Sequence, residues 1–173
     1  DCLLSRGLGD VYKRQEQAES DYESNIDAMM TEMDQFNLSD ELSNSYRQLF
    51  KDVYAKAKYT VKDAEKMDDK DGYYVTVEIE QMTGLFNGIQ EELMTEFTEW
   101  ANSFDADTYP TEDEMYEQMY QMMYDLMSAR LDSITYNDPQ EVVVEVIGED
   151  NVYSISDGSM TELDEALLDV ATE

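Results

Sequence analysis

The sequence has no histidine, one cysteine, two prolines, and only 11 lysines and arginines against 42 aspartates and glutamates. Without histidine the chain cannot form a Ser-His-Asp triad or a helical di-iron site of the Glu-x-x-His kind. The common zinc sites need histidine or cysteine and are also excluded. Phosphate contacts need clustered lysine and arginine, so we expect no nucleic acid partner.

The first fifteen residues are expected to differ in origin from the rest of the chain. Residues 5–15 read SRGLGDVYKRQ, and their back-translation resembles, codon by codon, a primer and transposon-end adapter used in library preparation. Asp1 fits the end of the flanking primer, and residues 2–4 fall at a variable index. We therefore predict that residues 1–15 are a non-native, adapter-derived segment and exclude them from the fold. The alternative is a basic, targeting-like N-terminus.

Setting this segment aside changes the composition. It contains Cys2, three of the 11 basic residues and two of the 42 acidic residues, which leaves 8 and 40 in residues 16–173. The remainder has no thiol for nucleophilic or redox chemistry. Its strong negative charge would be repelled by an anionic membrane surface. Its length suits one domain, and its aromatic content of 11% favours a folded chain.

Hydrophobic periodicity predicts five helices. Apolar residues recur at spacings of three and four within residues 17–35, 42–53, 85–104, 115–134 and 163–170. Three N-terminal caps accompany them, at Ser39, at Thr111 with Glu114, and at Ser159 with Glu162.

Alternation with a period of two predicts two hairpins. In the first, residues 55–62 alternate Ala, Tyr and Val side chains with three lysines and a threonine. Residues 73–80 alternate Tyr, Val and Ile side chains with Tyr74, Thr76, Glu78 and Glu80. Its apolar face is expected to be buried, and its outer face to pair lysine with glutamate. Residues 142–147 and 152–156 predict the second hairpin. The order is ααββααββα, and we predict an α+β fold in which a four-stranded antiparallel sheet packs against amphipathic helices.

Seven of the eight basic residues outside the N-terminal segment lie between Arg47 and Lys70. We interpret this basic stretch as internal charge balance, in which these side chains offset acidic neighbours in the fold. A positive stripe that receives an anionic partner is the alternative.

An aspartate-rich turn separates the first two predicted strands. Gly72 could take the invariant glycine position of an EF-hand loop. Asp69, Asp71 and Glu78 would then fall on ligand positions three, five and twelve. Met67 would take position one, where it cannot bind calcium, and Glu78 belongs to a strand pattern. We interpret the segment as a hairpin turn, with these three acidic residues as weak candidates for binding a divalent cation.

The fourth predicted helix is rich in methionine and tyrosine. Its methionines, at positions 115, 119, 122, 123 and 127, have the spacing of a core-facing stripe. A copper site of thioether ligands is the alternative. Tyr116, Tyr120 and Tyr124 run beside them at a spacing of four. They either flank the core or form an exposed strip of rings that would bind a partner or ligand.

Carboxylate chemistry is compatible with this composition, because two acidic groups in different environments can act as acid and base. The 40 remaining acidic residues do not single out a pair. Glu92, Glu96 and Glu99 share a helix face opposite the apolar stripe, which indicates a solvated face. We assign no catalytic and no cofactor-binding residue, and we expect no cofactor.

Residues 54–79 read YAKAKYTVKDAEKMDDKDGYYVTVEI and resemble the middle hairpin of a family of Gram-positive lipoproteins of unassigned activity. In that family two helices follow, and then strands similar to Val142–Val146 and Val152–Ser156. The resemblance implies a signal peptide, a lipobox cysteine and a further helical stretch upstream. Cys2 is not that cysteine, because no lipobox precedes it.

These observations predict an N-terminally truncated, extracytoplasmic domain of a lipid-anchored surface protein, with the location implied by the resemblance. We expect it to bind a ligand or protein partner without catalysis, and to meet the membrane only through the missing anchor. A hydrolase that uses carboxylates is the first alternative, and it predicts a cleft with buried acidic residues of shifted pKa. A structural spacer with neither a cleft nor an apolar surface is the second.

Overall fold

The structure, a computed structural model, describes residues 23, 24, 26–31, 33–105, 107–149 and 152–170. The segment 1–15 and the first residues of the first predicted helix lie outside this range. The adapter-derived origin of residues 1–15 and the single domain over residues 16–173 therefore stay predictions.

Five helices and six strands make up the described part of the chain. The helices are α1 (helical at residues 23, 24, 26–31 and 33), α2 (Asp40–Tyr54), α3 (Ile89–Ala101), α4 (Glu112–Arg130) and α5 (Asp157–Leu167). The strands are β1 (Lys58–Lys66), β2 (Gly72–Glu80), β3 (Met82–Thr83), β4 (Thr135–Tyr136), β5 (Gln140–Glu149) and β6 (Val152–Ile155). The predicted α+β class and the order of the main elements are confirmed.

The main sheet has four antiparallel strands in the order β1-β2-β5-β6. Both predicted hairpins are present, and β2 pairs with β5 between them. The outer face of the first hairpin pairs opposite charges as predicted. The Lys58 ammonium lies 3.7 Å from the Glu80 carboxylate, and Lys62 lies 2.9 Å from Glu78.

Helix α5 covers the apolar face of the sheet over its two central strands. Val77, Ile79 and Val144 form a buried cluster there with Ala166. On the edge strand β1, however, Tyr59 and Val61 stay 64% and 59% exposed. The prediction that these two residues are buried is wrong. The alternation places them on the correct face, but α5 packs mainly on β2 and β5 and leaves these two side chains of β1 uncovered.

The helices enclose a second and larger core beside the sheet. Residues of α1, α2 and α4 meet there, together with the segment between β3 and α3. Its buried members are Ile26, Met30, Leu42, Tyr46, Leu49, Val53, Met82, Leu85, Ile89 and Met127. Met127 is the buried methionine of α4, and Met123 packs against the same core from a half-buried position. The core-facing interpretation of the methionine stripe agrees with these contacts.

Two predicted helix boundaries are wrong. Helix α3 begins at Ile89, not near Leu85, because Gly88 before it has a left-handed φ of 65° that breaks the helical backbone. Helix α4 ends at Arg130, and the chain then makes a short 3₁₀ turn to β4. Strand β4 pairs with β3 in a two-stranded sheet that the sequence patterns do not predict.

One predicted cap is also wrong. Ser39 and Thr111 cap α2 and α4 as expected. The cap of α5 is Ser156, whose side chain accepts a hydrogen bond from the backbone of Ser159. Ser159 is buried inside the first turn of the helix, and its hydroxyl oxygen accepts the backbone N–H of Glu145 at 2.9 Å. It therefore joins α5 to β5.

The capping box of α4 predicts a pH effect. The backbone N–H and the hydroxyl of Thr111 both donate to the Glu114 carboxylate at 2.8 Å, and they lower the pKa of Glu114. This stabilisation is complete above the ordinary carboxyl pKa and is lost as the pH falls through the lowered value. Thr111→Ala removes the hydroxyl donor and keeps the backbone N–H, so we expect the pKa of Glu114 to rise part of the way toward its ordinary value in a carboxyl-detected NMR titration. An unchanged pKa would contradict the hydrogen bond from the Thr111 hydroxyl.

Candidate functional site

The three candidate calcium ligands do not form one site. Asp71 is the last residue of the turn before β2, and its carboxylate accepts a hydrogen bond from the Tyr153 hydroxyl at 3.4 Å. Glu78 lies about 20 Å further along the strand and pairs with Lys62. Among the described residues, no group of three or more acidic side chains is placed to hold a metal ion. Binding of a cation by Asp69 and Asp71 alone stays a prediction.

The predicted tyrosine strip of α4 lies against the helical core. Tyr116, Tyr120 and Tyr124 are all half-buried. The Phe36 ring lies 5.5 Å from Tyr116 and 4.8 Å from Tyr120, while the Tyr46 ring lies 5.7 Å from Tyr124. Of the two alternatives, this geometry is that of a row flanking the core. Its use as a partner surface stays a prediction.

The basic stretch balances charge inside the molecule, as predicted. Six of its seven side chains lie within 4 Å of a carboxylate. The pairs are Arg47 with Glu23 and Asp27, Lys51 with Glu23, Lys56 with Asp132, Lys58 with Glu80, Lys62 with Glu78, and Lys70 with Glu145. Arg130 on α4 pairs with Glu92 and also donates to the Leu85 and Asn87 carbonyls. It therefore anchors the segment before α3.

An apolar cavity of about 340 Å³ opens between the helical core and the end of α5. Its floor is formed by buried side chains of the helical core, among them Val53, Met82, Leu85 and Met127. Its mouth lies between α2 and the segment after α5, where Tyr54 is 38% and Val170 65% exposed. The other lining residues are Met29, Phe50, Ala57, Phe86, Asp164, Glu165, Leu167 and Leu168.

Backbone contacts fix the wall that α5 contributes to the cavity. The Gln81 side chain donates to the Glu165 carbonyl at 2.8 Å. Beyond the helix, the Asp169 N–H donates to the Met82 carbonyl at 2.9 Å, and Leu168 forms a parallel bridge with Met82. The end of α5 is therefore tied to the residues around β3. The cavity is bounded by this connection on one side and by α2 on the other.

The charged residues that line the cavity are both acidic and lie next to each other on α5. Burial raises the pKa of Asp164. Glu165 follows it directly, and side chains at neighbouring helix positions do not face each other. A hydrolase that uses two carboxyl groups needs them on opposite sides of a substrate. Asp164 and Glu165 do not have that arrangement.

The cavity could not be found from the sequence patterns. Phe50 and Val53 belong to the predicted stripe of α2, and Leu85 and Phe86 to that of the next helix. Each pattern predicts a buried residue correctly. Neither hydrophobic pattern indicates that a cavity remains between these side chains. The presence of a cavity depends on how the helices pack against one another. The sequence does contain one related signal, its 12 methionines. Methionine is common at adaptable binding surfaces, but its abundance does not locate a cavity.

Comparison with known proteins gives one informative match. No protein-family model and no curated protein matches this chain. Among solved structures, the chain is similar to the crystal structure of a "putative lipoprotein (ycdA)" from Bacillus subtilis subsp. subtilis str. 168. The TM-score is 0.52 at 13% sequence identity, over 90% of this chain and 47% of that one. At this identity the likeness shows a shared fold, and this chain spans about half the length of its neighbour. Within the described residues, no helix is long and apolar enough to cross a bilayer.

Proposed function

We propose that this chain is a non-enzymatic binding domain of a surface lipoprotein, and that it binds an apolar ligand in the cavity between α2 and α5. The cavity is the observation on which this rests. Its volume of about 340 Å³ lies within the range of known small-molecule pockets, which are mostly apolar with few polar groups. Its charged residues, Asp164 and Glu165, both belong to α5.

The lining suits a flexible apolar ligand. Met29, Met82 and Met127 contribute unbranched side chains that can adapt to the shape of a ligand. Phe50 and Phe86 add aromatic faces. An apolar ligand that fills the cavity would gain contacts with atoms that otherwise face empty space or water. A catalytic role would need positioned acidic, basic or nucleophilic groups, and the apolar lining does not favour one.

The surface location is supported by two likenesses. The sequence resembles a family of Gram-positive lipoproteins, and the fold is similar to that of the Bacillus subtilis protein. Neither likeness assigns a ligand. A domain exposed outside the membrane would have access to extracellular apolar molecules, which is consistent with a cavity that opens to solvent.

Ligand binding can be tested with the neutral dye N-phenyl-1-naphthylamine, whose fluorescence rises in apolar surroundings. We expect the chain to bind it, and Ala57→Phe to weaken binding at least tenfold because the new ring fills the cavity. Ala55→Phe is the matched control, because Ala55 is exposed two residues away and does not line the cavity. Circular dichroism checks that both variants fold.

A second variant separates loss of binding from loss of structure. Val170 lies at the mouth and is 65% exposed, so Val170→Glu should fold normally and still weaken binding of a neutral dye. If both folded variants bind the dye as tightly as the unchanged chain, the cavity is not the binding site. If the unchanged chain does not bind the dye at all, the spacer alternative is favoured.

A further inference from the structure

We infer that the ligand of this cavity is a small amphiphile with a cationic head group, whose apolar chain enters the cavity and whose ammonium or guanidinium group lies beside Asp164 and Glu165. This inference rests on the proposed function and names the chemical class of the ligand. It follows from the charges at the cavity, from the positions of the basic residues and from the cavity volume.

The charge at the cavity disfavours an anionic head group and favours a cationic one. Both charged lining residues, Asp164 and Glu165, are acidic, and the whole chain has a formal net charge of −31. A carboxylate or phosphate held beside them would be repelled, while a cation would be attracted both by these side chains and by the field of the protein. A neutral head group would gain nothing from either.

The described residues supply no cation for these two carboxylates. Neither Asp164 nor Glu165 takes part in an ion pair within the described part of the chain, where seven of the eight basic side chains pair with other acidic residues. The eighth, Lys66, ends β1 opposite Tyr73. Lys66 lies about 26 Å along that strand from Lys58. Lys58 directly follows Ala57, which lines the cavity. Within the described part of the chain, a cation beside these two carboxylates would therefore have to be supplied by a bound molecule.

Partial desolvation gives a bound cation a specific effect on Asp164, although this side chain is largely exposed. The surrounding apolar side chains raise the pKa of this carboxyl by desolvation. A positive head group would stabilise the ionised form and lower that pKa again. The bound state therefore has a signature that a purely apolar ligand would not produce.

The cavity volume sets the length of the apolar chain. A water molecule takes about 30 Å³ in the liquid, and a methylene group is of similar size. A cavity of about 340 Å³ therefore accepts a chain of roughly ten carbons. A head group alone, without such a chain, would be held only by exposed charges, which contribute little in salt.

The test compares three probes with the same ten-carbon chain by titration calorimetry in physiological salt, each below its micelle concentration. We expect decylammonium to bind about tenfold more tightly than decanol, and decanoate to bind more weakly than decanol. Ethylammonium, which has the cationic head without the chain, should not bind measurably. In an NMR titration, decylammonium should lower the pKa of Asp164 and decanol should not.

Paired variants distinguish a local effect from the net charge. Asp164→Asn with Glu165→Gln should bring the ratio of the decylammonium and decanol affinities to about one. The matched control is Glu96→Gln with Glu99→Gln, which removes two charges from exposed positions on α3. In this control the ratio should stay near ten.

The outcomes separate the two proposals. If decanol and decylammonium bind equally, the cationic head group is wrong while the apolar cavity still binds its ligand. If the α3 control lowers the ratio as much as the α5 variant, the preference comes from net charge and the inference is overturned. If none of the ten-carbon probes binds, both the inference and the proposed function fail.

Discussion

Replacing Leu85 by alanine will lower the free energy of unfolding by about 3 kcal/mol. Leu85 is completely buried between β3 and α3, where it packs in the helical core and forms part of the cavity floor. The substitution removes buried methyl groups and leaves space that the surrounding helices can fill only partly. Urea unfolding at neutral pH, followed by circular dichroism, measures the effect.

A matched truncation on the surface serves as the control. Met94 on α3 is 56% exposed, so Met94→Ala should change the free energy of unfolding by no more than about 0.5 kcal/mol. A loss below about 1 kcal/mol in Leu85→Ala would mean that the core beside the cavity is loosely packed. The described arrangement of α1, α2 and α4 around Leu85 would then be incorrect.

Replacing Gly72 by alanine will destabilise the sheet by about 2 kcal/mol. Gly72 begins β2, where its carbonyl accepts the N–H of Met67 and closes the turn from β1. A Cβ atom at this position would lie 2.5 Å from the Val146 carbonyl oxygen and 3.0 Å from the Met67 sulfur. The sulfur can move, but the carbonyl belongs to the backbone of the neighbouring strand β5. Thermal unfolding should show the loss.

Gly158 provides the opposite case in the same chain. It lies in the first turn of α5, and no atom would come within 4 Å of an added Cβ. Gly158→Ala should therefore stabilise the protein by about 0.5–1 kcal/mol, because alanine loses less conformational freedom than glycine in a helix. If both glycine variants shift the melting temperature in the same direction, the close approach at Gly72 is not the cause.

Local patterns predicted the elements because each depends on nearby residues. The alternation from Tyr73 to Ile79 needs only a strand with one covered face, and the structure has it. The caps at Ser39 and Thr111 depend on a side chain and a backbone N–H three residues later. Such signals lie in a window of a few residues, so the sequence contains them completely.

The failures depend on contacts between distant residues. The Ser159–Glu162 pair has the correct spacing for a capping box, but Ser159 is used to bind the backbone of β5, fourteen residues earlier. Tyr59 and Val61 were placed on the correct face, yet their exposure depends on where α5 crosses the sheet. Strands β3 and β4 have two residues each, which is too short for an alternation of apolar and polar side chains to be recognised.

The cavity belongs to the same class of feature. Its mouth combines Tyr54 and Val170, which are far apart in sequence and exposed in the structure. In the sequence, no pattern distinguishes Asp164 from the other 39 acidic residues outside residues 1–15. In the fold, partial desolvation raises the pKa of its carboxyl group. What distinguishes these residues is their position relative to one another, and a periodic pattern contains no information about that.

The edges of the main sheet have a consequence for how copies of this protein meet. β1 is an outer strand of nine residues whose side chains are all exposed, and a long open edge can recruit strands of other molecules into a growing fibre. Two features oppose this. The register shifts between Val61 and Ala64 in a bulge, and Lys58, Lys62 and Lys66 would bring like charges together if two copies joined through this strand. The basic residues that balance charge within the molecule therefore also oppose extension of the sheet beyond β1.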